Sequence, residues 1–154
     1  MAENGQFLHY LESTGGENLK QIDIKAIETD KAPAPVGPYS QAIQAGNFLF
    51  VSGLTGTNPE TGKLHGETVR EQAEQSLKNL GCILQEAGAS YESVMKTTCF
   101  LADMKDFQEF NEVYAEFLTG KPARSCVAVK TLPMNALCEM EAIAYIDWQT
   151  IVPE

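Results

Sequence analysis

Histidine, positive charge and long apolar runs are all scarce in this 154-residue chain, and each scarcity removes a class of function. The only histidines are His9 and His65. His9 falls in a polar N-terminal stretch and His65 in a polar loop before a helix, so neither a Ser-His-Asp nor a Cys-His arrangement finds support. Basic residues number 11 against 21 acidic ones, a net charge of −10. No Lys/Arg run relieves that balance, which argues against a nucleic-acid partner, because such affinity leans on cationic contacts to phosphate. No apolar run nears the ~18 residues of a membrane span, and no basic-then-apolar leader opens the chain. No CxxC pair or close Cys/His set suggests a metal site, and no Gly-rich phosphate fingerprint is present. Cys82, Cys99, Cys126 and Cys138 therefore read as buried reduced thiols, which fits a cytoplasmic setting.

What is present reads as one domain. Residues 1–21 show no sustained period and are expected to form a flexible N-terminal extension; the globular domain is expected over 22–150. Ile22, Ile24 and Ala26 alternate as a first strand. Pro33, Pro35 and Pro38 then deny donors to any ladder and predict an extended loop. Ser40–Ala45 and Phe48–Ser52 read as strands turning at Gly46-Asn47. Thr68-Val69-Arg70-Glu71 fits a capping box, followed by an apolar stripe from Val69 to Ala87 and a stop at Gly88. Val94–Ala102 reads as a buried strand. A second helix is expected from Asp106, with a stripe through Phe107, Phe110, Val113, Tyr114, Phe117 and Leu118, ending at Gly120. Ser125–Val129 and Cys138–Trp148 complete about six strands and two helices, an α+β pattern. The last strand is apolar at both parities and should be covered on both faces, by the helices on one side and by a second copy on the other.

Two charged intrusions into apolar strands stand out: Arg124 in Pro122–Val127, and Glu139 with Glu141 in Cys138–Ala144. Uncompensated charge is costly to bury, so these groups pair with each other, point to solvent at strand ends, or serve a ligand. If the two segments formed a simple hairpin turning near Met134, Arg124 and Glu139 would stand about 16 Å apart. A shared site would then need another strand arrangement or groups from neighbouring subunits.

Pro33-Ala34-Pro35-Val36-Gly37-Pro38-Tyr39-Ser40-Gln41-Ala42, Val51-Ser52-Gly53, Val94-Met95-Lys96-Thr97-Thr98 and Phe110-Asn111-Glu112-Val113-Tyr114 follow in order. Pro122-Ala123-Arg124-Ser125-Cys126-Val127 and Glu139-Met140-Glu141-Ala142-Ile143-Ala144 close the series. Together these blocks resemble the RidA (YjgF) family across residues 22–148, also labelled endoribonuclease L-PSP. The resemblance implies a chorismate-mutase-like fold and a homotrimer with clefts between subunits. It implies a cofactor-independent, metal-free deaminase that hydrolyses 2-aminoacrylate and related 2-imino acids to 2-oxo acids and ammonia. Arg124 would grip the substrate carboxylate and Glu139 would orient or activate water; Tyr39, Ser52, Gly53, Asn111 and Cys126 match the remaining pocket positions. Lys121 departs from the family, which has an aromatic residue before Pro-Ala-Arg, and this bears on substrate range. The rival functions are an endoribonuclease or translation inhibitor, which the acidity opposes, and a sensor or chaperone-like module that binds a metabolite without turnover.

Overall fold

The computed structural model describes residues 22–146, so the expected extension over 1–21 and the chain after Ile146 lie outside the described residues. The strands are β1 (Ile24–Ile27), β2 (Ala42–Ala45), β3 (Phe48–Thr55), β4 (Val94–Leu101), β5 (Ala123–Ala128) and β6 (Cys138–Tyr145). The helices are α1 (Val69–Glu86), between β3 and β4, and α2 (Phe107–Phe117), between β4 and β5. One mixed sheet runs β1-β2-β3-β6-β4-β5, antiparallel throughout except for the parallel β4–β5 pair that α2 connects. This is the α+β architecture read from the pattern of elements.

Local chemistry explains most boundaries. Gly46 takes φ +57° in the tight turn joining β2 to β3. Thr68 and Glu71 form the expected capping box: the threonine side chain accepts from the Glu71 amide, and the Glu71 carboxylate accepts from the Thr68 amide. The Thr68 hydroxyl, which also donates to the Glu71 carboxylate at 2.8 Å, holds that carboxyl below its usual value together with the amides of Thr68 and Glu67. After α1, Gly88 enters the left-handed region at φ +75°. α2 begins where expected, with Asp106 in the N-cap position. Asp106 makes no cap bond; instead Asp103 caps a short 3₁₀ turn, Met104–Asp106, by accepting from the Lys105 amide at 2.9 Å. The helix closes at Phe117, and the positive φ of +52° falls on Lys121, not Gly120.

Both helices cover one face of the sheet. Leu49, Val51 and Leu54 of β3, Met140, Ala142 and Ala144 of β6, and Cys99 and Leu101 of β4 are buried there against Leu77, Leu80, Leu84, Phe110 and Val113. The face of α1 is less apolar than its stripe suggested, since Gln72, Ser76 and Asn79 are also buried on it. Ser76 donates to Leu54 O at 2.8 Å, Asn79 donates to Thr57 O at 2.8 Å and Thr55 O at 3.3 Å, and Gln72 accepts from the Leu137 amide at 2.8 Å. These side chains bond to carbonyls at the end of β3 and just beyond it and to an amide at the entry to β6. Gly56 lets this seam close, because a Cβ there would lie 2.3 Å from Gln72 O.

The opposite face is open. Phe48 and Tyr145 pack edge to face at 5.4 Å between ring centroids, beside Phe50, and all three remain more than two-fifths exposed. The strand read as needing cover on both faces has it on one.

Asn79→Ala strips the donor from the buried bond to Thr57 O, where the lost partner costs about 1–3 kcal/mol, and from the part-buried bond to Thr55 O, which adds less. Urea unfolding at fixed protein concentration should show a loss of about 2 kcal/mol or more; a change within ~0.5 kcal/mol would mean that the seam contributes nothing.

Candidate active site

The residues singled out in the sequence divide into two groups on opposite faces of the sheet. Arg124 stands directly across from Thr97 in the parallel β4–β5 pair, so the two side chains share a face. Thr97 is fully buried on the helix side, which sends Arg124 beneath α2. There its Nη1 donates to Asn111 Oδ1 at 2.7 Å. The guanidinium carbon lies 4.8 Å from the Tyr114 ring centroid and 5.5 Å from that of Phe107. Tyr114 is itself fixed by a 2.7 Å hydrogen bond between its hydroxyl and that of Thr97. The rings stabilise the cation by cation–π attraction while leaving most of its donors unspent.

Phe107 and Tyr114 were read from the sequence only as members of an apolar stripe. Their part in holding Arg124 was legible in one respect: Phe107, Asn111 and Tyr114 sit at i, i+4 and i+7, one face of α2. Cys126 lies two residues beyond Arg124 on the same side, opposite Cys99. Burial pushes the Cys126 thiol above its usual range, with nearby Arg124 partly offsetting this, so it is a protonated thiol at neutral pH. All four cysteines are free, as expected, but only Cys99 and Cys138 are buried, Cys82 and Cys126 being half-buried; burial pushes Cys99 and Cys138 up to about 12.

Glu139 belongs to the other face. It stands across from Thr55 on one side and Phe100 on the other. Between Val51 and Leu54, β3 carries one residue more than β6, a bulge that takes Ser52 and Gly53 out of the ladder. The Glu139 carboxylate fills the space this creates: a Cβ on Gly53 would lie 2.0 Å from Glu139 Oε1. Glu139, Ser52, Gly53, Tyr39, Met134 and Glu141 are among the residues lining a cavity of about 750 Å³. Among the described residues, no Lys, Arg or His lines it. Ser52 is held by donating to Ser40 O at 2.7 Å through Oγ and to Gln41 O at 3.0 Å through its amide.

The hairpin considered for the last two strands does not form, because β4 lies between β5 and β6. Arg124 and Glu139 are two strands and three register steps apart, roughly 10 Å in each direction, and they project from opposite faces. They do not pair with each other, and among the described residues no carboxylate forms an ion pair with Arg124. The structure therefore brings Arg124, Asn111 and Cys126 together, and separately Tyr39, Ser52, Gly53 and Glu139. His65 is exposed, and no His/Cys/Asp/Glu cluster suited to a metal occurs among the described residues. None of the described helices is long and apolar enough to cross a membrane.

Fold and site together define a small α+β protein with an aromatic-cradled arginine under its helices and a carboxylate-floored cavity on its open sheet face. The chain belongs to the family described as Endoribonuclease L-PSP, whose profile matches residues 29–146. It is 53% identical over 128 residues to Reactive Intermediate Deaminase A, chloroplastic, of Arabidopsis thaliana, covering 82% of this chain and 68% of that one. It is 48% identical over 127 residues to the 2-iminobutanoate/2-iminopropanoate deaminase of Mus musculus, covering 82% and 94%. Among solved structures, E. coli TdcF with bound serine superposes with a TM-score of 0.77 at 40% identity, over 80% of this chain and 99% of that one. The resemblance read from the sequence blocks is thus borne out at the level of the family.

Burial and, second, the neighbouring Glu141 raise the Glu139 carboxyl above its ordinary 4.5. Folding therefore favours its protonated form, a contribution present in full below 4.5 and lost as pH rises through the folded value. A ¹³C carboxyl titration by NMR should place Glu139 above 4.5 and show it falling in Glu141→Gln. A value at or below 4.5 would contradict the burial inferred for this group.

Proposed function

We propose that this protein is an enamine/imine deaminase that hydrolyses 2-aminoacrylate and related 2-imino acids to 2-oxo acids plus ammonia, without a cofactor. The observation that carries the reading is the separation just described. Among the described residues, the cavity with a carboxylate floor has no cation lining it, and the arginine with unspent donors has no carboxylate partner. A 2-imino acid needs both, an arginine for its carboxylate and a base for the attacking water. Since the two groups leave opposite faces of one sheet, a complete site requires two copies. The exposed Phe48, Phe50 and Tyr145 on the open face are the apolar surface that such an assembly would cover. A homotrimer of the chorismate-mutase-like type, with a cleft at each interface, satisfies these requirements. The free thiols fit a cytoplasmic protein, and the domain is assigned to 22–150 with 1–21 as an extension.

The chemistry follows from the groups. An enamine substrate first tautomerises to its imine. The planar guanidinium of Arg124 donates two parallel hydrogen bonds to the substrate carboxylate. Glu139, poised by its raised carboxyl, takes a proton from water as the oxygen attacks the imine carbon. Glu139 passes that proton to the nitrogen, giving the carbinolamine; a second proton moves from its hydroxyl to the amine, the C–N bond breaks with loss of ammonia, and the 2-oxo acid is left. Backbone groups at Gly53 and Cys126 are suited to hold the nitrogen, and Tyr39 and Ser52 shape the wall and floor. RNA cleavage has less support: the chain is acidic and the cavity wall carries Glu139 and Glu141 with no cation.

Arg124→Ala removes two charge-assisted bonds of about 1.5–3 kcal/mol each, so release of pyruvate from 2-aminoacrylate made in situ should fall by roughly 10²–10⁴-fold. Near-normal rates would refute the role of Arg124. Cys126→Ser should keep most of the turnover, because a protonated thiol is not the nucleophile.

The shared site has its own test. Inactive Arg124→Ala and inactive Glu139→Gln, unfolded together and reassembled at equal amounts, should regain up to about a quarter of wild-type activity, since that fraction of random interfaces holds both intact groups. No recovery in verified mixed oligomers would place the whole site within one protomer.

A further inference from the structure

The lip of the cavity is the segment 32–39, which contributes Pro33, Ala34, Val36 and Tyr39 to its lining. Three of its eight residues are prolines, so it cannot be held by a strand ladder. Within it, the Val36 amide donates to the Tyr39 hydroxyl at 3.4 Å and the Tyr39 amide to Gly37 O at 2.9 Å. The hydrogen bonds that tie it to the rest of the described structure both come from one atom. Gln41 Nε2 donates to Ala32 O at 3.2 Å and to Pro33 O at 2.9 Å. The same amide donates to Thr29 O at 3.0 Å and accepts from the Thr29 amide at 2.7 Å. Gln41 is 4% exposed, and its bond to Ala32 O is buried while those to Thr29 and Pro33 are partly so; losing a partner costs most where water cannot replace it. Its backbone carbonyl meanwhile accepts from the Ser52 amide at the edge of the bulge. One residue thus joins the lip that carries Tyr39 to the floor that carries Ser52 and Gly53.

We propose that Gln41 is a positioning residue whose buried amide holds the proline-rich lip, and with it Tyr39, over the Ser52–Gly53 floor. It governs how tightly the substrate is held and leaves the chemical step untouched. This rests on the deaminase reading above. No part of the amide is free to act on a reacting atom. What it fixes is the distance between wall and floor, on which ground-state and transition-state binding depend alike.

Gln41→Glu tests this with little change in volume. The carboxylate can still accept from Thr29, but it has no donor for Ala32 O, Pro33 O and Thr29 O and sets a charge against them. In assembled protein at neutral pH, KM should rise about tenfold or more while kcat stays within about threefold. Lowering the pH should recover part of the KM change, because a protonated carboxyl regains one donor. In a Tyr39→Ala background, the further effect of Gln41→Glu on KM should shrink markedly, since Gln41 acts through that side chain. A loss in kcat at unchanged KM, or full additivity with Tyr39→Ala, would overturn the proposal.

If Gln41→Glu does not fold, Pro35→Gly with Pro38→Gly loosens the same lip from the outside. It should raise KM alone, and an unchanged KM there would overturn the proposal equally. Hydrogen exchange at Val36, Gly37 and Tyr39, with pyruvate titration as a binding readout, decides the clamp without turnover. Faster exchange and weaker pyruvate binding in Gln41→Glu support it, and unchanged values defeat it. Absence of turnover by the wild-type protein would instead defeat the deaminase reading.

Discussion

The site is organised around a guanidinium held without a carboxylate. Arg124 is stacked on Tyr114 and Phe107 and hydrogen-bonded to the neutral Asn111. Pairing it with an acid would have neutralised it and consumed its paired donors. Aromatic faces and one amide oxygen stabilise the charge only partly and leave its remaining donors to an anion. Much of the surrounding structure serves this arrangement. Helix α2 supplies all three partners from one face, and the Thr97 hydroxyl fixes the Tyr114 ring from the sheet. The parallel β4–β5 pairing aims the side chain at the helix layer.

The second half of the chemistry depends on removing an atom. Gly53 has no Cβ where the Glu139 carboxylate lies, and the bulge in β3 widens that spot by putting an extra residue opposite β6. Burial beneath this bulge, with Glu141 two residues away, shifts Glu139 toward its neutral form. The α1 seam of Gln72, Ser76 and Asn79 holds the end of β3 and the entry to β6, so that the cavity floor rests on a braced frame. Lip, floor and frame are each tied by side-chain amides or hydroxyls to backbone groups.

Much of this was legible in the chain. The capping box at Thr68, the left-handed Gly88 and the turn at Gly46 depend on neighbours a few residues away, and all are observed. The apolar stripes of both helices identified the core correctly. Asp106 marked the start of α2 correctly, although the side chain that captures an amide there is that of Asp103, three residues earlier. The polar seam of α1 was missed because Gln72, Ser76 and Asn79 follow the helical period but are not apolar, and their partners lie more than twenty residues away in sequence.

The sequence by itself determined the secondary structure, the family resemblance and the unusual placement of Arg124 and Glu139 in apolar strands. These follow from side-chain period, local capping and the cost of burying charge, all of which act within a short stretch of chain. Only the tertiary structure decided that the two groups leave opposite faces of the sheet. That outcome turns on β4 being inserted between β5 and β6 and on a one-residue bulge in a different strand. Pairing order and register are set by long-range packing, and with a side-chain period of two, a single residue of register moves a group from one face to the other.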